Sequence, residues 1–147
     1  MSDATEELVG FVRRVLDTPG GEPVNVLVRE CPATGEAGAR LLFECAWECL
    51  PAYVPKNLVS TYGELDTRPG LKPLPFRKRL RSMRRTAMKV DEALFTDADM
   101  YESYGWKLMG DQLRGERREC RVFIDRVDAV VNVGDALREN EPDRAGN

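Results

Sequence analysis

The first apolar pattern in the chain repeats with the period of an α-helix. Starting at Leu8, apolar side chains fall at i, i+3, i+4, i+7 and i+8 within residues 3–17. Glutamates lie in the first turn of this segment and arginines near its last turn, the arrangement that the helix dipole favours. Pro19, Gly20 and Gly21 follow, so the pattern predicts a helix over 3–17 that ends at this turn.

Two later segments have the features of strands. Residues 24–31 are rich in β-branched side chains and lie between two prolines. In residues 40–50, apolar side chains recur at every second position, which is the period of a strand. The side chains that share this apolar face are Leu41, Phe43, Cys45, Trp47 and Cys49. We therefore expect an antiparallel hairpin over 24–50, with an apolar face that needs a covering layer.

The middle of the chain predicts a loop followed by two helices. Residues 51–75 contain five prolines, and this composition predicts irregular structure. A heptad seam then runs through residues 76–94 with apolar residues spaced 4-3-4-3-4. The seam residues are Phe76, Leu80, Met83, Ala87, Val90 and Leu94. The sequence Phe-Thr-Asp-Ala-Asp at 95–99 predicts a break, after which a second helix is expected over 98–113.

The last part of the chain again favours strands. Alternation resumes over 118–125, and residues 127–133 are rich in valine, so we expect one or two strands over 118–133. Together these elements predict an α+β fold, in which an antiparallel sheet made of the 24–50 hairpin and the 118–133 strands is covered by two or three helices. A single domain over 1–137 and a disordered polar tail over 138–147 complete the prediction.

Charge changes the picture, because one segment differs sharply from the rest of the chain. The protein is acidic overall, with a net charge of −3, yet residues 68–90 contain no acid and carry a formal charge of +9. On a helix at 100° per residue, most of these cations lie opposite the heptad seam. Arginine predominates among them, and its guanidinium group suits phosphate and carboxylate. Arg79 alone falls near the edge of the seam.

This distribution leads to the hypothesis that the protein is a non-enzymatic polyanion-binding protein with a regulatory or accessory role, and RNA or DNA is the leading candidate for the polyanion. The candidate binding residues are Arg68, Lys72, Arg77, Lys78, Arg81, Arg84, Arg85 and Lys89. A structural interpretation competes with it: the cations are neutralised within the chain. The acids considered for this are Glu44, Glu48, Asp91, Glu92, Asp97, Asp99 and Glu102.

A different class of function also fits the sequence. The seam residues Leu80, Met83 and Val90 are candidates for pairing with another copy of the chain or with a partner helix. In that case the basic side of the helix would set specificity or meet an acidic protein surface. The aromatic residues Tyr101, Tyr104 and Trp106 are candidates for stacking on bases, although their helical spacing favours positions in the core.

The residue types present exclude several kinds of chemistry. The chain has no histidine, so imidazole catalysis and His-bearing metal sites are absent. Cys45 and Cys49 would be about 13 Å apart on a strand, too far to share one zinc ion, so the cysteines are expected to be small buried hydrophobes. We expect no metal, no cofactor and no transmembrane segment. We also expect no catalysis, and an enzyme of carboxylate or thiol type is the third hypothesis, after the polyanion-binding protein and the interaction module. No secretory signal is recognisable, and the expected location is cytoplasmic or nuclear.

Overall fold

Helices make up all the regular secondary structure in residues 3–139, which are the residues that the computed structural model describes. The six α-helices are α1 (Asp3–Asp17), α2 (Val24–Glu30), α3 (Gly35–Cys49), α4 (Val59–Thr67), α5 (Phe76–Ser103) and α6 (Lys107–Glu139). Two short 3-10 turns, Leu50–Ala52 and Lys56–Leu58, connect α3 to α4. The predicted α+β fold with an antiparallel sheet is therefore wrong, and the helix predicted over 3–17 is confirmed.

The predicted 24–50 hairpin is replaced by α2 and α3. Residues 40–50 contain no β-branched side chain and include three Leu, two Glu and one Ala, residue types that favour helices. The buried positions Ala39, Leu42, Phe43, Ala46 and Leu50 follow the helical spacing, whereas Leu41, expected on the apolar face of a strand, is 52% exposed. In α2 the β-branched residues form a helix because tertiary packing overrides a weak intrinsic preference.

The strands predicted over 118–133 are part of the 33-residue helix α6. Cys120, Phe123, Val127 and Val130 are all buried, and their 3-4-3 spacing places them on one side of a helix. The alternating pattern placed Val122 on the apolar face of a strand, but Val122 is exposed in α6. The valines of this segment belong to a helix that the rest of the chain packs against over most of its length.

Helix α5 is confirmed where it was predicted, but it is longer than expected. It continues without interruption to Ser103, so neither the break at 95–99 nor a separate helix over 98–113 exists. The chain reverses direction at residues 104–106 instead, where Gly105 has a φ of +81°, a conformation that glycine adopts at low cost. Residues 51–75 also contain the helix α4, and α6 extends the ordered chain through Glu139. The rest of the predicted tail, 140–147, lies outside the described residues.

The core lies between the α5–α6 hairpin and the four shorter helices. Helix α3 packs on both α5 and α6, α1 and α2 pack on α6, and α4 packs on α5. Gly134 of α6 lies against the ring of Phe43 of α3, and a Cβ at this position would overlap the ring. The α5 residues Leu80, Met83 and Ala87 are fully buried in this core. Most of the predicted heptad seam therefore contributes to the interior of its own chain.

The distal part of the α5–α6 hairpin extends beyond the four shorter helices. We call residues 91–119 the arm: it consists of the end of α5, the turn and the start of α6. Within the arm, all of which the structure describes, only Ala98 and Gly110 are buried, and they lie where the two helices approach each other. No helix between residues 3 and 139 is long and apolar enough to cross a lipid bilayer.

Candidate nucleic-acid interface

Two of the predicted binding arginines are ion-paired with aspartates of α6. The guanidinium group of Arg77 donates from Nε to Oδ1 of Asp135 at 2.8 Å and from Nη2 to Oδ2 at 2.9 Å. These hydrogen bonds raise the pKa of Arg77 above its usual value. One heptad further along α5, Arg84 donates from Nε to Oδ1 of Asp128 at 2.5 Å. Both arginines therefore serve the fold.

A third ion pair continues this series with the charges reversed. Asp91 of α5 lies 3.0 Å from Nε of Arg117 and 3.5 Å from Nε of Arg121, both on α6. The α5 members of the series are Arg77, Arg84 and Asp91, and the α6 members at the matching heptad steps are Asp135, Asp128 and Arg121. We call these three pairs the ladder. A shift of one heptad would bring Arg84 opposite Arg121, so the ladder disfavours other registers of the hairpin.

Arg79, which lies near the edge of the seam, has a structural role. It is only 8% exposed, and its Nε donates to the carbonyl oxygen of Leu74 at 2.9 Å. Its guanidinium group lies 4.5 Å from the centre of the Phe76 ring and 3.7 Å from Oδ1 of Asp66. Trp47 donates to the same carboxylate at 2.9 Å. These contacts fasten the 68–75 loop and α4 to the core.

Four cations of α5 remain on the outer face of the helix. They are Lys78, Arg81, Arg85 and Lys89, and we call them the stripe. All four are exposed, and none forms an ion pair with an acid among residues 3–139. Their 3-4-4 spacing places them within about 80° of arc along about 16 Å of the helix. The stripe is therefore a row of unpaired positive charge on an acidic protein.

The other predicted residues lie in different surroundings. Lys72 is exposed and Arg68 is half-buried on the loop before α5, and neither forms an ion pair within the described part of the chain. Leu80 and Met83 have no exposed surface, and Val90 is half-buried against the core. Those seam residues contact their own chain. Binding of a ligand by the stripe, Arg68 and Lys72 stays a prediction.

The aromatic residues after the stripe are not in the core. Tyr104 is 68% exposed and Trp106 is 60% exposed, so the preference for core positions is wrong for these two residues. Tyr101 is half-buried, and its ring stacks on that of Trp106 with centroids 5.5 Å apart. They lie at the end of the arm, which has a net charge of −4. This acidic setting disfavours contact with the same nucleic acid that the stripe would hold.

Among residues 3–139, the thiol and carboxylate groups form no recognisable reactive centre. Because residues 40–49 are helical, the strand argument for separating Cys45 from Cys49 does not apply, yet the described residues contain no group of three or more potential metal ligands. Burial, together with the neighbouring Cys49, raises the pKa of Cys45 to about 12. Burial also raises the pKa values of Cys31 and Cys120. These three thiols are protonated at neutral pH and are poor nucleophiles.

Sequence reasoning missed the acids that neutralise part of the basic segment. It considered acids near the segment or in the predicted sheet, whereas the partners are Asp128 and Asp135, more than 40 residues away, and Asp66. A signal for the ladder was present, since charged residues recur every seven positions in both helices.

A scan against protein-family models, a search of curated proteins and a search of solved structures each found no match for the chain.

Proposed function

We propose that this protein binds the phosphate backbone of RNA or DNA through the stripe and acts as a non-enzymatic accessory or regulatory factor in the cytoplasm or nucleus. The observation that supports the proposal is the stripe itself: four exposed cations in one row with no acid of residues 3–139 paired to them. Unpaired surface charges that repel one another give no stability to a helix, so a ligand is a reasonable explanation for them.

The stripe has dimensions that suit a row of phosphates. Its length of about 16 Å corresponds to about five phosphates on one strand of a duplex, at about 3.4 Å each. Arg81 and Arg85 lie at its centre, and each guanidinium group has a planar set of donors for phosphate oxygens. Lys72 and Arg68, on the loop before α5, extend the positive surface. Contacts to phosphates position the ligand without reading its sequence, so the proposed binding is nonspecific.

The rigidity of α5 supports the same function. The ladder fixes one edge of this helix against α6, and Leu80 and Met83 fix its inner side in the core. The outer cations are thus displayed on an element that is already ordered. Little backbone entropy would be lost on binding, which favours affinity.

The experiment that tests the proposal compares two double charge reversals of equal size. We expect Arg81→Glu/Arg85→Glu to weaken the binding of a fluorescein-labelled duplex by at least about tenfold, measured by fluorescence anisotropy. Arg29→Glu/Arg118→Glu is the matched control, since both residues are exposed and form no ion pair within the described residues. Equal loss in both variants would show that only net charge matters, and the proposal would fail. Circular dichroism confirms that both variants are folded.

A further inference from the structure

The arm continues the apolar side of the hairpin beyond the helices that cover it. At 100° per residue, Leu94 and Tyr101 lie on the same side of α5 as the buried Met83 and Ala87. Met109 and Leu113 likewise lie on the side of α6 that carries the buried Cys120 nearer the core. In the core this side of the hairpin is covered by the shorter helices, whereas in the arm it is uncovered.

The uncovered side has the composition of a binding surface. We call it the arm face, and it consists of Leu94, Asp97, Tyr101, Tyr104, Trp106, Met109, Leu113 and Glu116. Trp106 is 60% exposed and Met109 is 41% exposed, while Leu94 and Leu113 are half-buried. Trp and Tyr are the residues that most often dominate the energy of protein interfaces, and Met adapts to a partner's shape. An apolar surface of this kind is unusual on a protein that functions without a partner.

The charges on the arm face indicate the kind of partner. Asp97 and Glu116 lie on it, and neither forms an ion pair within the described part of the chain. Two nearby cations are already paired: Arg114 with Glu102 and Asp111, and Arg117 with Asp91. The other two cations of the arm, Lys107 and Arg118, lie on the opposite side of α6 from Met109 and Leu113. A second copy of the arm would bring like charges together, which is unfavourable. A partner with positive charge beside apolar residues would instead be complementary.

We infer that the arm face binds a cationic amphipathic α-helix of another protein. A helix laid along the arm face would place apolar side chains at i, i+3, i+4 and i+7 against Trp106, Met109 and Leu113. Lysines or arginines flanking those positions would meet Asp97 and Glu116. This inference stands apart from the proposed function, because it uses neither the stripe nor a nucleic acid.

The test uses a synthetic peptide of about 18 residues, made of leucine and lysine with the amphipathic spacing of a helix. The chain has two tryptophans, and Trp47 is buried, so a change in emission on binding reports on Trp106. We expect a blue shift of the emission when the peptide is added at physiological salt. A matched leucine and glutamate peptide is expected to produce no shift, and equal binding of both peptides would overturn the inference.

Variants locate the binding. Met109→Asp/Leu113→Asp is expected to weaken the binding of labelled leucine–lysine peptide by at least about tenfold, measured by anisotropy. Leu41→Asp/Val59→Asp is the matched control, because both residues are exposed and apolar and lie outside the arm. Leu41 also lines a groove of about 460 Å³ together with Glu44 and Glu48. Unchanged affinity in the arm variant, or equal loss in the control, would overturn the inference. A blue shift caused by a higher protein concentration alone, or by phosphatidylcholine vesicles alone, would also overturn the inference.

Discussion

Arg77 and Asp135 are 58 residues apart in the chain, yet two hydrogen bonds of 2.8 and 2.9 Å join their side chains. This pair is the first step of the ladder between α5 and α6, and it takes a residue of the basic segment away from any ligand. Two sides of the same helix therefore have different roles. The edge of α5 next to α6 stabilises the fold, and its outer face carries the stripe.

The ladder makes a prediction about paired charges. Asp128→Arg places two arginines together at Arg84, and we expect it to lower the free energy of unfolding by about 1–2 kcal/mol, since a half-exposed ion pair is replaced by repulsion. The double variant Arg84→Asp/Asp128→Arg restores the pair with its charges exchanged. We expect it to recover at least half of the loss in urea unfolding experiments. Losses that simply add would contradict the ladder.

The close approach of α3 and α6 gives a second prediction, with two glycines compared. Gly134→Ala would force a Cβ into the ring of Phe43, and we expect a loss of about 1–3 kcal/mol from overpacking. Gly10→Ala on α1 meets no atom within 4 Å, and we expect a gain of about 0.5–1 kcal/mol. Thermal unfolding followed by circular dichroism measures both. A neutral Gly134→Ala would show that the helices can separate at low cost.

Part of this fold is predictable from the sequence, and the reasons for the rest are physical. The helices at 3–17 and 76–94 are found because strong periodicity and capping or seam signals agree there. The strands predicted over 118–133 are wrong because valines prefer strands only weakly, and packing against α3 overrides that preference. In residues 40–50, an alternating pattern coincided with a helical one, and the absence of β-branched residues was the better indicator.

The hydroxyl of Tyr53 gives a pH-dependent prediction. It donates to Oδ1 of Asp17 at 2.5 Å, and burial together with this hydrogen bond raises the pKa of Tyr53 to about 12. Because the folded pKa lies above the ordinary value of about 10, the folded state holds its proton longer, and stability falls as pH rises from about 10 to 12. We expect the melting temperature of Tyr53→Phe to fall less steeply with pH over this range than that of the unmodified protein. Parallel curves for the two proteins would refute this assignment.

The buried thiol of Cys45 leads to a prediction about reactivity. With a pKa of about 12 in place of 9.0, its thiolate fraction at pH 8 is lower by about a thousandfold. We therefore expect alkylation of Cys45 by iodoacetamide to be at least about a hundredfold slower in the folded protein than in urea. Mass spectrometry of tryptic peptides measures both rates. Comparable rates would mean that α1 and α3 separate readily at this position.

The positive charge of the candidate site is predictable from the sequence, but the division of its cations into ion-paired and unpaired residues is not. Composition places nine cations in residues 68–90, and helical geometry places most of them opposite the seam. Which of them are neutralised depends on contacts with α6, and those contacts follow from tertiary structure. Around the axis of α5, Arg77 and Arg84 are separated from Arg81 and Arg85 by about 40° to 100°. This angular difference decides whether an aspartate of α6 is within reach.

The most direct test of the central claim is the salt dependence of duplex DNA binding. If the four cations of the stripe each contact a phosphate, a plot of log affinity against log salt concentration has a slope of about −3.6. Arg81→Gln/Arg85→Gln removes two of those contacts, and we predict a slope of about −1.8 for the folded variant. An unchanged slope, or no measurable binding by the unmodified protein at low salt, would contradict the assignment of the stripe as the nucleic-acid interface.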